Sequence, residues 1–231
     1  MKKIKNLFID NSVNVYVVGD IHGCYSLLIR KLVEIGFNFS KDILIAVGDL
    51  VDRGLENEKC FNLLKEHWFI SIKGNHEDFC EKGFSSDRIA YSHKAPNNGG
   101  SWFYQQPEDV QEHIANRFRQ LPILLEVEYN NKKFGFVHAD VPVHDWDELK
   151  EKVENGEEAF GRNIEELCLW SRDLVYQDHI DIKNIDNVFL GHTVLKNIKQ
   201  VGNCTFLDTG AVFYPKDTTN HLSIINLRDY L

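Results

Sequence analysis

Paired cysteines are missing from this chain. Its five (Cys24, Cys60, Cys80, Cys168 and Cys204) are odd in number, scattered and without a CxxC spacing. That argues against a disulfide framework or zinc ribbon and fits free thiols in a reducing, cytoplasmic compartment. Basic clusters are missing too. The formal net charge is −9 and no Lys/Arg block occurs, so no nucleic acid held by a basic face is expected as a partner. No apolar run approaches the roughly 18 residues needed to cross a bilayer. The start, MKKIKNLFID, has neither the apolar stretch nor the cleavage site of a signal peptide, so no membrane partner is expected either. Internal repeats, low-complexity tracts and linkers are also lacking. Residues 1–231 read as a single domain, long enough for one large α/β core.

What is present is concentrated between Val15 and Asp78. Three apolar runs, Val15–Val18, Ile43–Val47 and Phe69–Ile72, have the length and β-branched content of buried strands. Each leads into a glycine and then a polar group: Gly19-Asp20 with His22, Gly48-Asp49, and Gly74-Asn75-His76. Between them, Tyr25–Ile35 and Glu56–Lys65 carry apolar residues at helical spacing. Strand, helix, strand, helix, strand predicts a parallel sheet with right-handed crossovers. Ligands bind such sheets at the carboxyl ends of the strands, so the three polar clusters should converge. Carboxylate, imidazole and amide oxygen without thiolate form a donor set for Mn, Fe, Zn or Mg. Asp49, on the middle strand, stands where a carboxylate bridging two ions would belong.

The motifs GDIHG, GDLVDRG and GNHED resemble those of the metallophosphoesterases, and among them the phosphoprotein phosphatase family. GDIHGCY, DRGLEN and NNGGSWF resemble its small bacterial and bacteriophage members. The resemblance implies an α/β fold in which two mixed sheets stack as a sandwich flanked by helices. It also implies a protein serine/threonine phosphatase acting on phosphorylated proteins or peptides, with phosphotyrosine and small phosphate esters as further substrates. Asp20, His22 and Asp49 would hold one divalent ion; Asp49, Asn75, His138 and His192 a second; Mn2+ is the expected metal. Hydroxide bridging the two ions would attack phosphorus directly. Arg53 and Arg172 would grip the phosphoryl oxygens, and Asp52 would orient His76 as proton donor to the leaving oxygen. LCLWSRD carries Ser171 where the family has Asn. Two alternatives stand beside this reading: a symmetrical bis(5'-nucleosyl)-tetraphosphate hydrolase and a metal-dependent phosphoprotein-binding module without turnover. GDLVDRG, with Asp52, favours the phosphatase.

The rest of the chain is read more coarsely. Met1–Asn14 is a first strand or lead-in, and Glu77–Lys82 begins a helix. Residues 83–106 dissolve into Ser, Asn, Gly and Pro and are expected to form a long loop. There Trp102 and Phe103 form a satellite core, with a wall of the substrate cleft as the alternative. Pro107–Leu121 is a helix, and Ile123–Tyr129 with Lys133–His138 is a hairpin that signals a switch to antiparallel sheet. Val141–Asn163, rich in acids, reads as a solvated face. Asn187–Leu190, Thr205–Ala211 as a strand entering a glycine turn, and His221–Leu227 complete the sheets, with Asp208 structural rather than a ligand.

Overall fold

The computed structural model describes residues 2–214 and 220–231. Met1, which begins the expected lead-in, lies outside them. In chain order the elements are β1 (Ile4–Ile9), β2 (Val15–Val18), α1 (Tyr25–Glu34), β3 (Ile43–Ala46), α2 (Asn57–Asn62), β4 (Phe69–Ser71) and α3 (Asn75–Gly83). There follow α4 (Asp87–His93), α5 (Ser101–Tyr104), α6 (Glu108–Arg119), β5 (Leu124–Tyr129), β6 (Lys132–Phe136) and α7 (Trp146–Asn155). The chain continues with β7 (Glu158–Ala159), β8 (Arg162–Asn163), α8 (Ile164–Trp170), β9 (Asn187–Leu190), β10 (Lys199–Val201), β11 (Cys204–Phe206) and β12 (Ile224–Asn226).

One sheet has the order β12-β2-β3-β4, the other β1-β5-β6-β9-β11-β10. The period-2 alternation of their strands builds the layers. Val15, Val17, Ile45 and Val47 face inward and meet Leu125, Val127, Phe136 and Phe189 of the larger sheet in one buried cluster. Val18, Leu44 and Ala46 face outward and pack under Leu28, Leu32, Ile114 and Phe118 of α1 and α6. On the far side, Leu124, Val188 and Leu190 pack under Trp146, Leu149 and Val153 of α7 and Ile164 of α8. The expected sandwich of mixed sheets with helices outside is what these clusters describe.

The parallel set β2-β3-β4 and the hairpin β5-β6 form as expected. The switch to antiparallel pairing is narrower than the hairpin suggested. β6 pairs with β9, and β9 with β11, in parallel. β1 adds to β5 in parallel as the edge of the larger sheet. Two further expectations are corrected. Residues 83–106 are not one loop, because α4 and α5 form there, with Ala90, His93 and Phe103 buried. The acidic stretch is not merely a solvated face. α7 buries Trp146, Leu149 and Val153 at helical spacing, and Asp145 caps it by accepting from the Asp147 and Glu148 amides.

Candidate metal centre

The polar groups after the strands of both sheets meet at one place. Asp20 and His22 follow β2, Asp49 follows β3, and Asn75 and His76 open α3 directly after β4. From the other sheet, His138 follows β6 and His192 follows β9. All seven side chains are buried. The turns that carry them are strained: His22, Asp49, Asp52, Arg53 and His192 all have φ between 45° and 73°. Such conformations cost about 1–3 kcal/mol each in non-glycine residues and concentrate at functional sites. Gly48, at φ 97°, lets its backbone pass against Gly74 and His138, where a Cβ would collide.

Asp49 lies at the middle. Its Oδ2 faces His22 Nε2 at 3.5 Å and His76 Nε2 at 3.9 Å, while its Oδ1 faces His138 Nε2 at 3.4 Å. Each carboxylate oxygen thus addresses a different set of imidazoles. Glu77 holds this turn from beneath. Its carboxylate accepts from the Asp49, Leu50 and Gly74 amides, each at 2.8 Å, and so ties the end of β3 to the start of α3.

The hydrogen bonds determine which imidazole nitrogens are bare. His22 Nδ1 donates to the Val51 carbonyl at 2.9 Å, leaving Nε2 as acceptor. His138 Nδ1 donates to the Val47 carbonyl at 2.7 Å, and His192 Nε2 to the Trp170 carbonyl at 3.2 Å. The opposite nitrogens, His138 Nε2 and His192 Nδ1, both point at Asn75 Oδ1, at 2.9 and 2.8 Å. Backbone carbonyls orienting imidazoles in this way are the usual outer partners of metal-ligating histidine.

Electrostatics say the same. Burial and the His76 charge drive the His22 pKa down to about 3, and burial with the His138 charge drives His192 down to about 2. Neither imidazole keeps a second proton there, so the His192 Nδ1 lone pair faces an amide oxygen. Burial also works against the His138 cation, but the neighbouring Asp49 carboxylate wins and raises its pKa. Positive charge is therefore favoured at His138 Nε2. Burial and repulsion by Asp208 and Asp49 push Asp20 well above the carboxylate range. Asp49 is pulled well below it, burial being outweighed by His138 and His76. Several buried carboxylates around bare nitrogens and an amide oxygen make a donor set that fits divalent cations. His22-Asp49-His76 and Asp49-His138-His192 are two such groups. Asp20 joins them through its carboxylate, which accepts from the His192 amide at 3.0 Å.

The arginines sit differently. Arg53, half-buried, donates to the Asn97 carbonyl at 3.2 Å and to His22 Nε2. Arg172 is exposed, with its charge close enough to His192 to help depress that imidazole. Its segment is held by Asp140, which accepts from the Asp173 and Leu174 amides, while Ser171 Oγ donates to Asp173. His76 and Asp52 are paired at 2.6 Å and wholly buried, so this is no surface ion pair. Among the described residues His76 Nε2 has no hydrogen-bond partner. Three residues outside the expected set also arrive here. Trp102, read as satellite core, donates its Nε1 to Asp52 at 2.6 Å, and His93 reaches the same carboxylate. Phe103 does belong to the core. Asp208, read as structural, accepts from the Gly210 amide through Oδ1 and leaves Oδ2 buried, with no partner among the described residues. Its place directly after β11, matching Asp20 after β2, is the signal that could have marked it.

Known proteins resemble this chain in sequence and in fold. Over 206 residues the chain is 35% identical to serine/threonine-protein phosphatase 2 of Salmonella typhimurium, covering 86% of this chain and 88% of that one. A symmetrical bis(5'-nucleosyl)-tetraphosphatase of Mannheimia succiniciproducens is 32% identical over 136 residues, covering 57% of this chain and 45% of that one. Among solved structures, a protein serine/threonine phosphatase from Saccharomyces cerevisiae superimposes with a TM-score of 0.68 at 17% identity, over 98% of this chain and 76% of that one, a likeness of fold alone. The family model for calcineurin-like phosphoesterases matches residues 13–210, from just before β2 to just past Asp208. That span holds every strand end that meets at Asp49, and the chain belongs to the calcineurin-like phosphoesterase family.

Proposed function

We propose that the protein is a metal-dependent protein serine/threonine phosphatase that also accepts phosphotyrosine and small phosphate esters, with residues 1–231 acting as one catalytic domain. The observation that carries this reading is His76, whose Nε2 is buried without a partner beside Asp49 while its Nδ1 is held on Asp52. A hydrolase of serine phosphates needs a proton donor at that point; a module that only binds needs none.

Asp20, His22 and Asp49 would hold one divalent ion, and Asp49, Asn75, His138 and His192 the other. We take Mn2+ as the metal, with Fe, Zn and Mg suiting the same donors. Bound cations supply charge that neutralises a phosphoryl group and acidifies water. The protein's own groups do the rest. Arg53 and Arg172, one near His22 and the other near His192, offer guanidinium forks to the non-bridging oxygens. His76 Nε2 delivers a proton to the departing serine or threonine oxygen, whose alkoxide is too basic to leave alone. Asp52 accepts the Nδ1 hydrogen at 2.6 Å, which turns Nε2 toward the ligand cluster and stabilises the imidazolium.

Supporting a polypeptide substrate are the phosphatase relative matched over nearly its full length and an opening of about 510 Å³ lined by Arg30, Arg53, Leu55 and Tyr214. Leu55, 98% exposed, offers that opening an apolar edge. The tetraphosphatase likenesses cover at most 59% of those enzymes, against 88% of the phosphatase, which favours them less. Five free cysteines support a reducing, cytoplasmic setting. The deciding experiment is to strip the protein of metal, add Mn2+, and assay a phosphoserine peptide beside diadenosine tetraphosphate. Faster release of phosphate from the peptide is expected. Faster cleavage of the dinucleotide would instead favour the second reading, and peptide retention without turnover a binding module.

A further inference from the structure

Asp52 carries more hydrogen bonds than its pairing with His76 requires. It is fully buried, and its Oδ2 accepts from His76 Nδ1 and from His93 Nε2, each at 2.6 Å. Its Oδ1 accepts from Trp102 Nε1, again at 2.6 Å. His93 Nδ1 lies 3.0 Å from the Tyr104 hydroxyl. Burial works against the Asp52 charge, but the bonds from the two imidazoles prevail and lower its pKa to about 2. An ionised carboxylate only accepts, so His93 must carry its hydrogen on Nε2. The Tyr104 hydroxyl is the partner of Nδ1.

Cys80 completes a group with Asp52 and His93 that by residue type could hold a metal ion. The hydrogen bonds argue otherwise. Both nitrogens of His93 and both oxygens of Asp52 are engaged, and burial pushes the Cys80 thiol far up, so it stays protonated. The cluster is built to position a carboxylate.

The packing around His93 has the same purpose. Its ring stacks on Phe79 at 5.1 Å and 12°, and Phe79 meets His76 edge-on at 5.9 Å. Gly100 also lies so close to His93 that any Cβ there would strike the imidazole. We propose that His93 is a positioning residue for phosphoester hydrolysis: locked by Tyr104, Phe79 and Gly100, it pins Asp52 Oδ2 while Trp102 pins Oδ1, and so fixes the direction of His76 Nε2. This rests on the phosphatase reading. A carboxylate held by His76 alone could turn about its own Cβ–Cγ bond; one held by three rigid donors cannot, and its partner inherits that rigidity.

The test uses His93→Gln and the milder Tyr104→Phe, which removes a single hydroxyl. Metal content should match wild type in both. His93→Gln should lower kcat/KM about tenfold more on a phosphoserine peptide than on p-nitrophenyl phosphate, whose leaving group needs no proton. Tyr104→Phe should show the same selectivity at about threefold. In a His76→Asn background, His93→Gln should add less than about twofold on the peptide, because residues acting as a unit are not additive. Equal losses on both substrates, or full additivity with His76→Asn, would overturn the proposal. A readout without turnover is proton NMR of the Zn2+-loaded protein. His93→Gln should abolish one downfield imidazole N–H signal and speed solvent exchange of the His76 Nδ1 hydrogen. An unaltered His76 signal would equally overturn it. Wild-type protein inactive on both substrates counts against the phosphatase reading, and the NMR result then still decides the role of His93.

Discussion

The carboxylates at the strand ends and those between Asp145 and Glu166 are the same chemical group in opposite surroundings. Asp20, Asp49, Asp52, Glu77 and Asp208 are all but removed from solvent. Burial and the Asp49 charge raise Glu77 to about 7, and burial raises Asp208 as well. Asp49 and Asp52 go the other way only because imidazoles lie against them. In the acidic segment the side chains of Glu148, Glu157 and Glu166 are exposed and paired locally, while Glu165 reaches Lys3. Lys152 meets Glu148 and Glu157, and Arg162 meets Glu166 at 2.9 Å. Asp145 is lowered by hydrogen bonds from Asn184 and backbone amides, and Glu157 by Asn155 and Lys152. Water screens such pairs, and each adds little to stability. Buried acids are costly unless a positive charge arrives, and that cost is what a cation site exploits. The number of acids in a stretch therefore does not locate function; their desolvation does.

The largest effect expected from this contrast is that of Asp49→Asn. Removing the charge that faces His22, His76 and His138 should weaken both ion sites and abolish nearly all turnover, with the fold retained. Metal analysis and circular dichroism check it; two ions per chain at wild-type rate would refute the central role of Asp49. Next comes His76→Asn, expected to slow phosphoserine peptide hydrolysis about 10²–10⁴-fold with p-nitrophenyl phosphate affected far less. Parallel kinetics on the two substrates, with metal content unchanged, provide the measurement.

Arg172→Ala should be smaller. Its exposed guanidinium is expected to touch phosphate and no ion, so kcat/KM should fall by about 2–3 kcal/mol while metal content holds. Inhibition by inorganic phosphate should weaken in parallel, and loss of metal would show the arginine to be structural instead. The smallest effect lies in the acidic segment. Asn163, which caps α8 by accepting from the Glu165 and Glu166 amides, should cost about 1 kcal/mol of stability when changed to Ala. Urea unfolding would record that loss and steady-state kinetics no change. A matching loss of activity would mean the segment reaches the site.

Much of this was legible in the primary structure because it is local. A β-branched run, a glycine and a donor residue announce a strand end wherever they occur, and Asp20, His22, Asp49, Asn75 and His192 all stand in or beside such triplets; His138 follows its strand with no glycine between, and only the family resemblance singled it out. His93 does not. It ends a two-turn helix inside a stretch crowded with Ser, Asn and Gly, whose turn signals mask the burial of Ala90, His93 and Phe103. Trp102 was ambiguous because an indole has an apolar body and a polar edge, and only a buried acceptor decides which matters. Helix α7 was obscured by its charges, although Trp146, Leu149 and Val153 keep a helical period.

By itself, then, the order of residues determined the strand-helix alternation of the first half, the donor groups at the strand ends and the absence of any thiolate among them. These follow from backbone preference and side-chain chemistry, which act over a few residues. Only the tertiary structure decided that two sheets bring those ends together at Asp49, that Asp208 leaves an oxygen bare beside Asp20, and that His93, Trp102 and His76 share one carboxylate. Those facts depend on which surfaces are buried against each other. Such burial is a property of the packed chain, in which Asp52 lies fifty positions from Trp102 and within a hydrogen bond of it.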